Sequence, residues 1–323
     1  MSLSRRPVKR PDGRYDNVDF REAAGHQLRP IKCTYNRRDV LLFANAIGAQ
    51  ADEKHFLYER HPRFAAFPTF PISLAFKQTD QDVFDHVART TLEPVLPGTL
   101  LFDAQRSVDS ERGIEILNPI PTSSAGLDLE IHGKVLGLYD RGGSMISEHE
   151  HELVDMKTGT VYARMTSTTF GVGRGGYGGP EGPNKPALKI PARQPDAIHV
   201  YKTTPETALL YRLCGDYNPM HADDEVGRRA GFKGATLQGL GTWNIAAHGL
   251  LRGVADSDPT RFKAFGARFK SAVYPGDELE TWIWRTGSEG RFENYVFETI
   301  VKKDGRIALS NGYAQIKQQS SKL

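Results

Sequence analysis

The chain is poor in what would mark several common classes of protein. It carries only two cysteines, Cys33 and Cys214, in 323 residues. Two thiols in opposite halves make neither a disulfide framework nor a zinc-ligand spacing, and they fit a reducing compartment. No apolar run approaches the ~18–20 residues of a membrane-spanning helix. The opening Met1-Ser2-Leu3-Ser4-Arg5-Arg6-Pro7 lacks the apolar core of a secretory signal. A dominant charge is missing too: 42 Lys+Arg against 39 Asp+Glu leave +3, too little for nucleic-acid binding by bulk charge. What is present is ordinary globular material, with 39% hydrophobic and 25% charged residues. The length suggests two domains of roughly 150 residues each.

Glycine and proline mark the division. Residues 171–195 read GVGRGGYGGPEGPNKPALKIPARQP, through which neither a helix nor a central strand can run. This linker separates an N-terminal half, 31–170, from a C-terminal half, 196–320. Residues 1–30 show no period and read as a loose arm. The last three residues, Ser321-Lys322-Leu323, form the address read by the peroxisomal import receptor, so the expected location is the peroxisome.

The halves share a plan. Asn36-Arg37-Arg38-Asp39 precedes an amphipathic segment, Val40 to Ala46, that Gly48 would stop. In the second half Thr204 is the expected N-cap, Pro205 the first helical residue and Gly215 the stop. Another helix is expected over 238–252, with Leu240, Trp243, Ala247, Leu250 and Leu251 on one face. Alternating segments at 127–139, 144–155 and 160–170, then at 264–272, 277–286, 292–302 and 306–317, read as strands. A helix followed by antiparallel strands, twice over, is an α+β tandem duplication with each sheet wrapped around a helix.

The chemistry concentrates in Gly215-Asp216-Tyr217-Asn218-Pro219-Met220-His221. An acid, an amide and an imidazole fall within six residues after a helix stop. Pro219 disfavours helix at Asn218, so a turn can bring His221 back towards Asp216. Such a pair can hold one water between an acid and an imidazole. The plain alternative is an Asx-type turn with a surface histidine.

Gly-Asp-x-Asn-Pro-x-His, followed by Ala230-Gly231-Phe232 and the glycine-rich helix start at Gly239 and Gly241, resembles the hydratase 2 motif of the MaoC-like dehydratases. Ala267-Arg268-Phe269, Val273-Tyr274-Pro275-Gly276-Asp277, Pro68-Thr69-Phe70-Pro71 and the glycines from 173 to 179 are similar to further landmarks of the eukaryotic two-domain form. The resemblance covers about residues 31–320.

It implies a double hot-dog fold whose C-terminal copy is catalytic and whose N-terminal copy shapes the acyl pocket. The implied reaction is reversible hydration of a trans-2-enoyl-CoA to the (3R)-3-hydroxyacyl-CoA, with no metal and no redox cofactor. Asp216 and His221 would activate the water, Asn218 would orient it or the acid, and the Gly239 N–H would stabilise the enolate oxygen. Among Arg228, Arg229, Lys233, Lys263, Arg268 and Lys270, the pair Arg268 and Lys270 are the first candidates for CoA contacts. A homodimer is the family expectation.

Two positions depart from the pattern. Gln238 stands where a histidine is usual, and Asp109-Ser110-Glu111 stands where the N-terminal copy usually keeps His-Gly-Glu. These departures leave open a dehydratase acting on a specialised acyl or polyketide thioester in a secondary-metabolite pathway. A hot-dog thioesterase and a non-catalytic acyl-CoA binder are the remaining alternatives.

Overall fold

The computed structural model describes residues 11, 18–90, 96, 98 and 107–319; the targeting tripeptide lies outside them. Among the described residues the strands are β1 (Ile31–Cys33), β2 (Ser107–Ile116), β3 (Leu129–Arg141), β4 (Ser144–Asp155) and β5 (Thr160–Val172) in the first half. The second half supplies β6 (Ala197–Lys202), β7 (Phe262–Phe269), β8 (Glu278–Glu289), β9 (Phe292–Val301) and β10 (Ile307–Lys317). They form one antiparallel sheet in the order β1-β3-β4-β5-β2-β7-β10-β9-β8-β6.

That order shows the duplication. Each half reads first, third, fourth, fifth and second strand from its outer edge inward, and the two second strands meet. β2 pairs with β7 antiparallel, with Gly113 opposite Gly266. A two-fold axis between equivalent strands gives this pattern, so the chain is a pseudo-dimer of the expected α+β plan. Tyr313 explains the opposed glycines: a Cβ at Gly266 would stand 2.4 Å from its ring and one at Gly113 would stand 2.8 Å from its hydroxyl.

The helices break the symmetry. In the second half, after the short α6 (Thr207–Arg212) and α7 (Asp224–Arg229), α8 (Gly239–Ala255) is almost wholly buried and packs on β6, β7, β8 and β10. Trp243, Leu250 and Leu251 are sealed in the same core as Phe265, Ile283 and Phe297. Among the described residues the first half has short pieces: α1 (Phe20–Ala23), α2 (Arg37–Ala46), α3 (Lys54–Leu57), α4 (Pro71–Lys77) and α5 (His86–Thr90). Of these, α4 packs against β1 at the edge of the sheet. Asn36 caps α2 in a full capping box with Asp39, as its sequence implies.

Several expectations need correction. Helix α6 (Thr207–Arg212) begins after Thr204 and Pro205, because Thr204 N–H bonds the Thr207 hydroxyl and the chain makes a turn first. Strand β7 ends at Phe269 instead of Ala272, where the chain turns towards Pro275-Gly276. Strands β1, β2 and β6 were not anticipated. Of the arm, residues 18–30 are packed. Gly25 N–H and Leu28 N–H bond the carbonyls of Val135 and Gly133 on β3, each at 2.8 Å. Phe20, Ala23 and Leu28 supply the apolar contacts that hold this segment down.

Candidate active site

The turn from Gly215 to His221 is set by glycine and by both halves of the chain. Gly215 adopts φ +122, which L-residues rarely take, and a Cβ there would lie 2.7 Å from the backbone nitrogen of Lys77 at the end of α4. The turn therefore rests directly on the first half. Asn218 then caps the 3₁₀ turn Pro219–His221, its Oδ1 accepting from Met220 N–H at 3.1 Å. The Asn218 N–H in turn reaches Asp216 Oδ1 at 3.3 Å, which leaves Oδ2 to face the histidine.

His221 is buried, and its Nδ1 lies 2.9 Å from the Thr236 carbonyl. A carbonyl only accepts, so Nδ1 carries the proton and Nε2 presents a lone pair. Nε2 lies 3.8 Å from Asp216 Oδ2. That is too long for a direct hydrogen bond and short enough for one water to touch both atoms. A water there would give one proton to each acceptor.

Gly239 is the first residue of α8, and by helix geometry its N–H has no partner within the helix. It lies at the positive end of a 17-residue helix. A side chain at this position would crowd Phe269, whose ring a Cβ would meet at 3.3 Å. Gln238, beside it, is fully buried and donates to the Ala208 carbonyl on α6 at 3.2 Å.

A further network fixes Tyr211, one turn before the site. Asn244 on α8 donates to the Tyr211 hydroxyl at 2.9 Å and accepts from the Thr69 hydroxyl of the first half. Phe84 packs edge-on to Tyr217 at 4.8 Å. This brings α5 over the turn. His86 on α5 feels both Asp216 and His221: burial lowers its pKa, Asp216 works against that, and His221 adds to it. Sequence spacing gave no sign of His86, because topology alone joins positions so far apart.

The cationic candidates are scattered. Arg268 is on the outer face of the sheet, bonded to Glu111 at 2.8 Å and to the linker carbonyl of Lys185 at 3.4 Å. Lys270 is exposed just past β7. Lys263 pairs with Glu115 at 2.9 Å. Arg228 reaches Asp224 at 4.0 Å, Arg229 is exposed, and Lys233 lies over the Tyr274 ring at 5.9 Å. No cluster of acidic, histidine and cysteine side chains suited to a metal ion occurs among the described residues.

Comparison with known proteins gives the same outline. Residues 33–173 match the MFE-2 hydratase 2 N-terminal domain, and residues 187–305 match the MaoC like domain. The curated protein "Probable dehydratase NIT22" of Ajellomyces capsulatus is 42% identical over 304 residues, 90% of this chain and 81% of its own. The peroxisomal enoyl-CoA hydratase 2 of Arabidopsis thaliana is 33% identical over 315 residues, 92% of this chain and 95% of its own. The crystal structure of a MaoC-like dehydratase from Phytophthora capsici superposes with a TM-score of 0.85 at 32% identity, covering 95% of this chain and all of that one.

Proposed function

The chain belongs to the MaoC-like dehydratase family in its two-domain hydratase 2 form, and from that premise we propose that it hydrates trans-2-enoyl-CoA reversibly to the (3R)-3-hydroxyacyl-CoA. The observation that carries this reading is the 3.8 Å gap between Asp216 Oδ2 and His221 Nε2, with Nδ1 held by the Thr236 carbonyl.

Hydration needs a water held beside C3 of the enoyl group and a proton for C2. Both acceptors are aimed at one water. As its oxygen bonds to C3, one proton passes to the Asp216–His221 pair, and the pair returns a proton to C2. Which of the two is the base is a property of the pair. Negative charge meanwhile moves onto the thioester oxygen, where a fixed N–H is worth more than a mobile water. The Gly239 N–H, at the positive end of α8, is the donor assigned to that role. Asn218 shapes the turn and holds the Asp216 carboxylate through its own backbone N–H. The reverse reaction uses the same groups, since both directions share one transition state.

No step here calls for a metal or redox group, and the CoA thioester is substrate. Of the CoA candidates, Lys270, exposed beyond Phe269, has the more open position, whereas Arg268 is already paired with Glu111. The peroxisome is the proposed location, in line with the terminal Ser-Lys-Leu and with the peroxisomal relative from Arabidopsis thaliana, with the import receptor as partner. A homodimer is proposed on the family's habit alone.

The test follows the enoyl-thioester absorbance with crotonyl-CoA and a medium-chain trans-2-enoyl-CoA, with chiral analysis of the product. Loss of the band giving the (3R)-alcohol, abolished in Asp216→Asn, supports the reading. Release of free thiol, or hydration that Asp216→Asn leaves intact in a folded protein, sinks it.

A further inference from the structure

The inner face of the first half's sheet is polar where its counterpart is apolar. Across β4, β5 and β2, His149 stands beside Ser167 and Ser167 beside Arg112 in one row, which continues to Ala267 on β7. His151 and Met165 occupy the next row, opposite Gly133 and Ile114. The following row is Ile131, Leu153 and Ala163, all buried in the core. In the second half α8 lies against Phe265, Ile283 and Phe297 instead.

A bulge between Asp109 and Glu111 turns Asp109 to the same inner face, where Arg112 Nε holds its Oδ2 at 2.7 Å. Its other oxygen, Oδ1, is buried with no hydrogen-bond partner among the described residues. Arg112, His149 and His151 stand on this same face. The side chains of Arg112 and Asp109 still keep 22% and 33% of their surface accessible. Trp243 of α8 donates its indole N–H to the Arg112 carbonyl at 3.3 Å, so this row borders the helix that begins at Gly239. Burial raises the Asp109 pKa, with Arg112 opposing and Asp216 adding to the rise, so this carboxylate shares an electrostatic neighbourhood with the catalytic acid.

A CoA moiety carries phosphates and must stay in water, so the inward space between sheet and helices is left for the acyl tail. A plain alkyl tail would strip water from Asp109, Arg112, His149 and His151 and return no hydrogen bonds. The four groups offer donors and an acceptor together. An anionic tail would meet two carboxylates, Asp109 and Asp216. A neutral hydroxyl meets both needs, giving its proton to Asp109 Oδ1 and accepting from Arg112 or an imidazole.

We infer that the acyl group taken by this enzyme carries a hydroxyl on its tail, read by Asp109, Arg112, His149 and His151. This rests on the hydratase reading and refines its substrate class. Burial holds both imidazoles near pKa 4, so they act as neutral partners at physiological pH.

The experiment compares medium-chain trans-2-enoyl-CoAs of equal length, without a hydroxyl and with one at successive carbons of the tail. For one hydroxylated isomer, wild type should show kcat/KM at least tenfold above the plain substrate. Arg112→Met and, separately, His149→Phe should shrink that ratio to near one. Binding of the matching saturated acyl-CoAs, measured by calorimetry, should show the same preference without any turnover. A plain tail used as well as every hydroxylated one, with equal binding, overturns the inference while leaving the hydratase standing. Absent turnover of all substrates with a retained binding preference would count against the hydratase reading and in favour of the polar pocket.

Discussion

His248 of α8 donates its Nε2–H to Glu53 of the first half at 2.8 Å, and both side chains are out of contact with solvent. Ser257 donates to the same carboxylate at 2.5 Å, and Arg252 approaches it at 3.2 Å. Burial alone would raise the Glu53 pKa, but the His248 hydrogen bond and charge, with Ser257 behind them, hold it at about 2. The two halves are thus bolted together by a carboxylate that must stay ionised.

Removing that carboxylate should be costly. Glu53→Ala leaves His248 and Arg252 without their buried partner, and breaking a buried pair from one side costs about 3–5 kcal/mol. Denaturant unfolding should show the loss, and Glu53→Gln should recover part of it through the Ser257 bond.

Acid should unfold the protein in two stages. The folded pKa of Glu53 lies below its unfolded value, so its contribution is full above about 4.5 and is lost as pH falls through about 2. His149, His151 and His199 are held near 4 by burial. They bind protons more readily unfolded, so stability already declines from about 6.5 to 4. Unfolding free energies measured from pH 8 to 3 should decline first over the histidine window. Glu53→Gln should remove only the later part, and a flat profile between pH 6.5 and 4 would contradict the histidine assignment.

Asp216→Asn and His221→Ala should each lower kcat by about 10²–10⁴, the usual range for a lost general acid–base group. Since both atoms address one water, the double variant should be little worse than the poorer single one. Fully multiplicative losses in single-turnover assays would mean that the two act on separate steps.

Gly239→Ala keeps the backbone N–H but pushes on Phe269, whose ring would lie 3.3 Å from the new Cβ. A rate loss of about tenfold with near-normal stability is expected, read as kcat against melting temperature. Asn244→Ala should do the reverse. It strands the Tyr211 and Thr69 hydroxyls, for about 1–3 kcal/mol of stability, and touches no reacting atom.

The legible parts of this protein are those whose pattern is local. Ser144–Asp155 and Thr160–Val172 alternate along their own length, so their strands could be read directly. So could the capping box at Asn36 and the helix from Gly239. Strand β2 was hidden because Asp109, Glu111 and Arg112 make it look like a loop. Its charges find partners mostly on other strands: Glu111 on Arg268 across the seam, Glu115 on Lys263 and Arg164, and Asp109 on Arg112 within the bulge. In the site, Asp216 and His221 sit on one turn and were readable together. His86, Lys77 and Thr69 reach that region from another half of the chain, and no spacing rule connects them.

The β2–β7 seam has a genetic consequence. When two identical chains pair, every substitution is made twice, once in each copy, and a change that suits a pocket also strikes the catalytic turn. Joining the copies through residues 173–196 removes that constraint. One copy could give up its acid and imidazole and shorten its helix, while the other kept a 17-residue helix and its reactive turn. A covalent join lets the two copies diverge independently, while the shared sheet still obliges them to fold as one.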